Sequence, residues 1–271
     1  MSRHYIATLL TDFGTSEGYV AAMKGAILSV CSRAQLVDIS HDVPAHDILR
    51  GAMVLVQAAP CFPAGTLHVV VVDPGVGTER KILAARFGSH TFLFPDNGVI
   101  SFVSDTMPLE SMVSVRDPRY VTPGAVSATF HGRDVFAPVA GHILNGLEIE
   151  KLGPKPDSYK TLDLPSPLQR DGGVFGKVIH VDRFGNLISN ISQGDITAFS
   201  ALSSGVCVTC AGKAVGPILA TYAMVEPGRP LALINSMGLL EVGVNHGRAC
   251  DVLAAGSGTE IAIVESPTSV R

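Results

Sequence analysis

The run Leu67-His-Val-Val-Val-Val-Asp73-Pro-Gly-Val-Gly-Thr-Glu-Arg80 holds the most apolar strand-like stretch of the chain, stopped by a Pro-Gly turn. A nearly unbroken β-branched run without polar alternation suits a strand buried on both faces, as in parallel sheets covered by helices. The sequence on its N-terminal side agrees. Residues 5–10 and 35–39 read as further strands, and residues 17–30 and 47–59 carry helical periodicity. Strands alternating with helices predict an α/β fold with a mainly parallel central sheet. Ligands of such sheets bind beyond the carboxyl ends of the strands.

After Arg80 the pattern changes to a hairpin, 82–86 and 91–94, joined around Gly88-Ser89, then a strand near 112–115 and a helix from about 134 to 144. Pro154, Pro156, Pro165 and Pro167, closing on Gly172-Gly173, mark an interdomain linker. Beyond it, helical periodicity nearly vanishes. Residues 174–182, 187–191, 206–210, 218–224, 231–235 and 260–264 are β-like pieces separated by Gly, Pro, Asn and Ser, as in a small barrel or sandwich. The expected division is an N-terminal α/β domain at 1–155, a linker at 156–172 and a smaller C-terminal β domain at 173–271.

With 271 residues, 46% of them hydrophobic and 16% charged, the chain can bury a large core. A formal net charge of -4 without blocks of like charge argues against a nucleic-acid or anionic-membrane partner. No run reaches the roughly 18 apolar residues of a membrane span. The first residues enter a strand-like run without the apolar stretch and cleavage site of a secretory signal. Together with an odd number of cysteines, five, this predicts reduced thiols and a cytoplasmic location. Cys207-Val-Thr-Cys210 lies in a β-like stretch with no second C-x-x-C, so packed cysteines suit it better than half a zinc site or a redox pair.

Four polar clusters fall where chemistry is expected. Asp12, in Thr11-Asp-Phe-Gly14 after the first strand, is placed to take a ribose diol, or else to cap the next helix. Asp73 stands at the tip of the apolar strand with Arg80 able to fold back onto it, an arrangement that also occurs as a purely structural ion pair. Gly75-Val-Gly77 lacks the remainder of either phosphate-loop pattern. His131, in Thr129-Phe-His-Gly-Arg-Asp134, opens a predicted helix and suits a general base, or a satisfied buried histidine. In the second domain, Asp182-Arg-Phe-Gly-Asn186 offers an amide matched to an adenine edge beside the apolar Phe184, though a turn on Gly185-Asn186 explains the same residues. His41 and His46, with Asp42 and Asp47, resemble metal ligands, yet no metal motif supports them and none is expected. By themselves the clusters indicate a small-molecule enzyme or binding protein.

In this order the clusters resemble the S-adenosylmethionine hydroxide adenosyltransferases, relatives of fluorinase and chlorinase. The matching pieces are Thr11–Gly14, Asp38-Ile-Ser-His41, Val72–Thr78, Phe94-Pro-Asp-Asn-Gly98, Thr129–Asp134, Asp182–Asn186, and Asn235-Ser236 with Gly238. The resemblance implies a C-terminal β-barrel, a homotrimer with sites between subunits, and hydrolysis of S-adenosylmethionine to adenosine and methionine without a cofactor. It assigns the attacking water to Asp73, Arg80 and His131, and the ribose to Asp12. The adenine falls to Asn186, with Phe184 and Tyr222 stacking. The methionine end falls to Glu17, Tyr19, Asp182 and Ser236, and Phe130 and His246 complete the expected substrate contacts.

Halogenases of this family carry an inserted loop where this chain has Gly88-Ser89, and Tyr where Asp73 and His131 stand. Both differences point to water as the nucleophile. Met237 and Leu239, in place of larger or aromatic residues, and Val244 and His246, in the segment at the adenine edge, depart from the family pattern. Two other readings are a sensor that kept the pocket without turnover and, more remotely, a halogenase. A sensor has no use for a water-activating cluster.

Overall fold

The computed structural model describes residues 5–124, 126–170, 172–200 and 205–266. They form two compact units that divide between Leu162 and Asp163.

The first unit is built as the Val-rich run predicts. Strands β1 (Ile6–Thr11), β2 (Gln35–Ser40) and β3 (Leu67–Val71) alternate with helices α1 (Tyr19–Val30) and α2 (Ile48–Ala58). The hairpin β4 (Ile82–Phe87) and β5 (His90–Pro95), the short helix α3 (Ser101–Thr106) and strand β6 (Leu109–Ser114) follow, then helix α4 (Ala137–Leu144). The sheet runs β2-β1-β3-β5-β4-β6, parallel from β2 through β5 and antiparallel across β4 and β6.

All of β3 is buried because its two faces serve two cores. Leu67, Val69 and Val71 pack with Met23 and Ile27 of α1 and Val139 of α4. Val70 and the following Val72 pack with Leu55 of α2 and Val103 of α3. Asp47 caps α2, its carboxylate accepting from Arg50 N at 2.9 Å. Because β2 lies on one side of β1 and β3 on the other, the carboxyl ends of β1 and β3 flank a topological switch point.

The second unit contains β7 (Leu168–Arg170), β8 (Gly173–Val181), β9 (Leu187–Ser192), α5 (Gln193–Ser200), β10 (Val206–Cys210), β11 (Lys213–Gly216), β12 (Pro230–Ile234), β13 (Leu239–Val244), α6 (Ala249–Leu253) and β14 (Glu260–Glu265). These strands form an antiparallel sheet in the order β11-β10-β14-β8-β9-β13-β12, with β7 on β8. The segment after β11 returns to β12, where Leu219 N donates to Ala232 O at 2.8 Å, so the sheet is a nearly closed barrel. Its interior holds Val178, Leu187, Leu240, Val242, Ile261 and Ile263.

Several local readings need correction. Residues 218–224 are not a strand: only Ile218 bridges a neighbour, and Tyr222–Met224 is a 3₁₀ turn. The helix expected from 134 begins as a wide π turn, Gly132–Phe136, before α4. β13 escapes the sequence reading because Glu241 and Gly243 interrupt its apolar pattern. The Pro-rich stretch is structured at both ends. Lys160 N donates to Asp96 at 2.7 Å and Leu162 N to Ser101 at 2.7 Å, while residues 168–170 already belong to the barrel sheet. Residue 171 lies outside the described residues.

Candidate active site

A cavity of about 540 Å³ opens in the first unit at the switch point, lined by Asp12 after β1, Asp73 after β3, and Phe130 and His131 before α4. Asp73 forms part of its polar wall, and Arg80 packs behind it. Arg80 donates from Nε at 2.8 Å and from Nη2 at 2.5 Å to Asp73 Oδ2, with both side chains under one-tenth exposed. Among the described residues, the other oxygen, Asp73 Oδ1, accepts only the Gly75 backbone N–H, at 3.2 Å.

Arg80 Nη2 also lies 2.9 Å from His131 Nδ1. A guanidinium has no acceptor, so Nδ1 accepts and the imidazole proton resides on Nε2. Burial, followed by the charge of Arg80, holds the His131 pKa below the usual histidine range, against the opposing pull of Asp73 and Asp134. His131 is therefore a neutral imidazole with a fixed tautomer at neutral pH.

Two devices bring the loops of this triad together. Gly77, at φ 77°, sits where a Cβ would come within 2.3 Å of Ala128 O, so only glycine lets the 73–80 loop press against the loop before His131. Asp134 is buried and gathers the second loop. Its carboxylate accepts from Ser127 N at 2.8 Å and from Arg133 Nε at 2.6 Å, and the Arg133 hydrogen bond chiefly keeps it ionised.

Asp12 Oδ2 accepts from His46 N at 2.8 Å. His46, with φ 67°, lines the same cavity and was not assigned to it from sequence. The loop carrying Asp12 is anchored from below by a hydrogen-bond chain that runs from buried Thr11 and His41 out to the surface. Thr11 Oγ1 meets His41 Nδ1 at 2.8 Å, His41 Nε2 lies 3.1 Å from Asp38, and Asp38 binds Lys24 at 2.7 Å. Burial pushes the Asp38 carboxyl up, but the Lys24 and His41 hydrogen bonds outweigh it and hold the group below its usual range. Phe13, Tyr19 and Phe130 form an aromatic cluster with centroids 5.2 to 6.1 Å apart, leaving Tyr19 half exposed. Glu17 is exposed and does not line the cavity.

The second unit carries a concavity of about 560 Å³ lined by Asp182, Phe184, Asn186, Tyr222 and His246. Phe184 is 73% exposed, an unusual state for a large aromatic ring and one that a ligand or partner surface would relieve. Ser236 is exposed and outside this lining, while its neighbour Asn235 joins a buried network with Glu241. Glu241 was not singled out from sequence. A carboxylate in the middle of Leu-Leu-Glu-Val-Gly-Val is the signal that would have found it. Among the described residues, no group of three or more His, Cys, Asp or Glu side chains converges to hold a metal.

Residues 7–153 match the SAM hydroxide adenosyltransferase N-terminal domain and residues 176–262 match the C-terminal domain. The chain belongs to the SAM hydroxide adenosyltransferase family. A family relative, (R)-S-adenosyl-L-methionine hydrolase from Thermus thermophilus, is 36% identical over 94% of this chain and 98% of its own length. The crystal structure of an uncharacterized conserved protein from Thermotoga maritima superposes with a TM-score of 0.86 at 34% identity, covering 96% of this chain and 100% of that one. The fluorinase of Actinoplanes sp. is more distant, 27% identical over 89% of this chain and 91% of its own. No described helix is long and apolar enough to cross a membrane.

Proposed function

We propose that this chain hydrolyses S-adenosylmethionine to adenosine and methionine by in-line attack of water on C5′. The observation that carries this reading is that Asp73 and His131, joined through Arg80, line the same cavity as Asp12. The sulfonium is already a good leaving group, so catalysis reduces to holding C5′ between sulfur and one desolvated water.

As the water oxygen bonds to C5′, the C5′–S bond breaks and its electron pair returns to sulfur, giving the neutral thioether of methionine. Asp73 Oδ1, the less occupied carboxylate oxygen, orients the water and takes its proton, which then passes to solvent. His131 Nε2–H donates to the water oxygen and fixes its direction. Arg80 holds both partners and adds positive charge that favours hydroxide over water. Asp12 takes the ribose diol, Tyr19 and Phe130 cover the reacting end, and Asn186, with Phe184 and Tyr222, takes the adenine. Glu17, Asp182, Ser236 and His246 complete the methionine and adenine contacts.

Water rather than halide is favoured because β4 and β5 are joined directly through Gly88-Ser89, leaving no room for the halogenase insertion. In H₂¹⁸O the label is expected at O5′ of adenosine, read by mass spectrometry. Unlabelled adenosine, or 5′-chloroadenosine formed in chloride buffer, would refute hydrolysis. Supplying both sulfonium epimers separately extends the assay, since the Thermus relative's name specifies the R form.

The expected residues fall on two units, with Asp12, Asp73 and His131 on one and Asp182, Asn186 and Ser236 on the other. The division of labour we propose follows the boundaries 1–155 and 173–271, in a cyclic homotrimer whose neighbours each contribute half a site. Co-refolding Asp73→Ala with Asn186→Ala, each nearly inactive alone, is expected to restore activity partly, because mixed trimers contain a junction with two intact halves. A mixture as inactive as its parents, with mixed trimers verified by native mass spectrometry, rules out shared sites. Five unpaired cysteines suit a cytoplasmic location.

A further inference from the structure

Asn186 sits at the end of a hydrogen-bond chain in which the direction of every donor is determined. Asn235 Oδ1 accepts from Met237 N at 2.9 Å and Leu239 N at 3.1 Å, so Asn235 Nδ2 must be the donor to Glu241, at 3.3 Å. The second oxygen of Glu241 accepts the Tyr222 hydroxyl proton. With its proton committed there, the Tyr222 oxygen accepts from Asn186 Nδ2, at 3.2 Å. The other Nδ2 hydrogen goes to Asp182 Oδ2 at 3.0 Å, whose second oxygen accepts Asn186 N at 2.8 Å. Both amide hydrogens of Asn186 are thereby used, and no described residue donates to Asn186 Oδ1.

We infer that Glu241 is a positioning residue which, through Tyr222, locks the Asn186 amide so that this side chain presents only an acceptor to the concavity. The site then takes a purine bearing a 6-amino group and rejects one bearing a 6-oxo group. This deepens the S-adenosylmethionine reading and rests on it. An exocyclic amine donates to Asn186 Oδ1, whereas a carbonyl oxygen in its place meets a second acceptor with no proton between them.

Rotating the amide to receive the oxo group would set Asn186 Oδ1 against the Asp182 carboxylate and the committed Tyr222 oxygen, so the site cannot adapt cheaply. Glu241 is 5% exposed, and the placement of a carboxylate there needs a reason, since burial raises its pKa and removing it from water is unfavourable. The neighbouring β13 position clears the space: a Cβ at Gly243 would lie 2.7 Å from the Tyr222 ring and 3.1 Å from Asn186 Oδ1.

The test is calorimetric binding of adenosine and inosine to the full-length protein and to its Glu241→Gln and Tyr222→Phe variants, with thermal melts reporting folding. Wild type is expected to prefer adenosine by about 10²-fold or more, as sites built around a buried hydrogen bond do. Each variant weakens one of the two contacts that orient the amide, leaving Asp182, and should reduce that preference by about tenfold, chiefly through weaker adenosine binding. A merely structural role would weaken both nucleosides alike and leave the ratio unchanged. Tyr222→Phe keeps the ring and its packing, so it reads the same ratio should Glu241→Gln fail to fold. Selective wild-type protein whose folded variants keep the full selectivity overturns the relay. Wild-type protein that binds neither nucleoside overturns the S-adenosylmethionine reading itself.

Discussion

Asp73→Asn and His131→Ala are each expected to lower kcat by about 10²-fold or more, the usual scale for positioned acid–base groups, while KM changes little. Asparagine is the informative replacement at position 73. Alanine would leave the Arg80 guanidinium, whose side chain is 8% exposed, with neither its ion pair nor its hydrogen-bond acceptor, and breaking a buried pair costs about 3–5 kcal/mol in folding. Asparagine keeps an oxygen for Arg80 and removes only the basicity required of Oδ1. His131→Ala removes the Nε2–H donor and leaves the Asp73–Arg80 pair intact.

The pH profile adds a second reading of the same site. Because burial and Arg80 hold His131 below the ordinary histidine range, the acid limb of kcat should lie below that range rather than within it. There a second proton would have to displace the Arg80 hydrogen bond at Nδ1. Steady-state kinetics beside thermal melts separates catalysis from folding. Variants that remain folded and turn over at the wild-type rate would assign the triad a structural role only.

The second large effect concerns stability in acid and arises away from the cavity. The register of β1, β3 and β5 aligns Thr8, His68 and Phe92 across the sheet. His68 Nδ1 meets Thr8 Oγ1 at 2.7 Å, Nε2 meets His90 Nδ1 at 3.3 Å, and the ring stacks on Phe92 at 4.8 Å. Burial, with a smaller contribution from His90, drives the His68 pKa from 6.5 down to about 3, and burial also lowers His90.

In the unfolded chain His68 binds a proton below pH 6.5, but in the folded chain it does so only near pH 3. Stability is therefore complete above that upper value and declines as pH falls between the two. At 1.36 kcal/mol per pH unit the loss from His68 is about 2 kcal/mol at pH 5 and approaches about 5 kcal/mol near pH 3. Urea unfolding of the first unit at pH 7, 6 and 5 should show this slope, and His68→Gln should flatten it. A slope unchanged by the substitution would place the acid sensitivity elsewhere.

The sequence was sufficient for whatever depends on short-range pattern. The Val-rich run before Asp73 suited a strand covered on both faces, and its alternation with amphipathic segments predicted a mainly parallel sheet with sites at the carboxyl ends. Spaced motifs carried the family, because turns such as Asp73–Gly77 need particular residue types at fixed offsets. The pattern failed where a segment owes its conformation to distant partners. β13 is a strand because Leu240 and Val242 fill the barrel while β9 and β12 flank it, although Glu241 and Gly243 weaken its local signal. Residues 218–224 have β-like composition, yet Tyr222 turns to place its hydroxyl on Glu241.

Residue identity nominated Asp73, Arg80 and His131, but not their protonation. The neutral His131 tautomer and the less occupied oxygen of Asp73 follow from a guanidinium held by contacts 7 and 51 residues apart. Hydrogen-bond direction at Asn186 likewise depends on Asp182, Tyr222 and Glu241 converging from separate strands and turns. Tertiary structure alone decides such features, because a proton's position depends on neighbours in space and on exclusion of water, and neither is encoded in local periodicity.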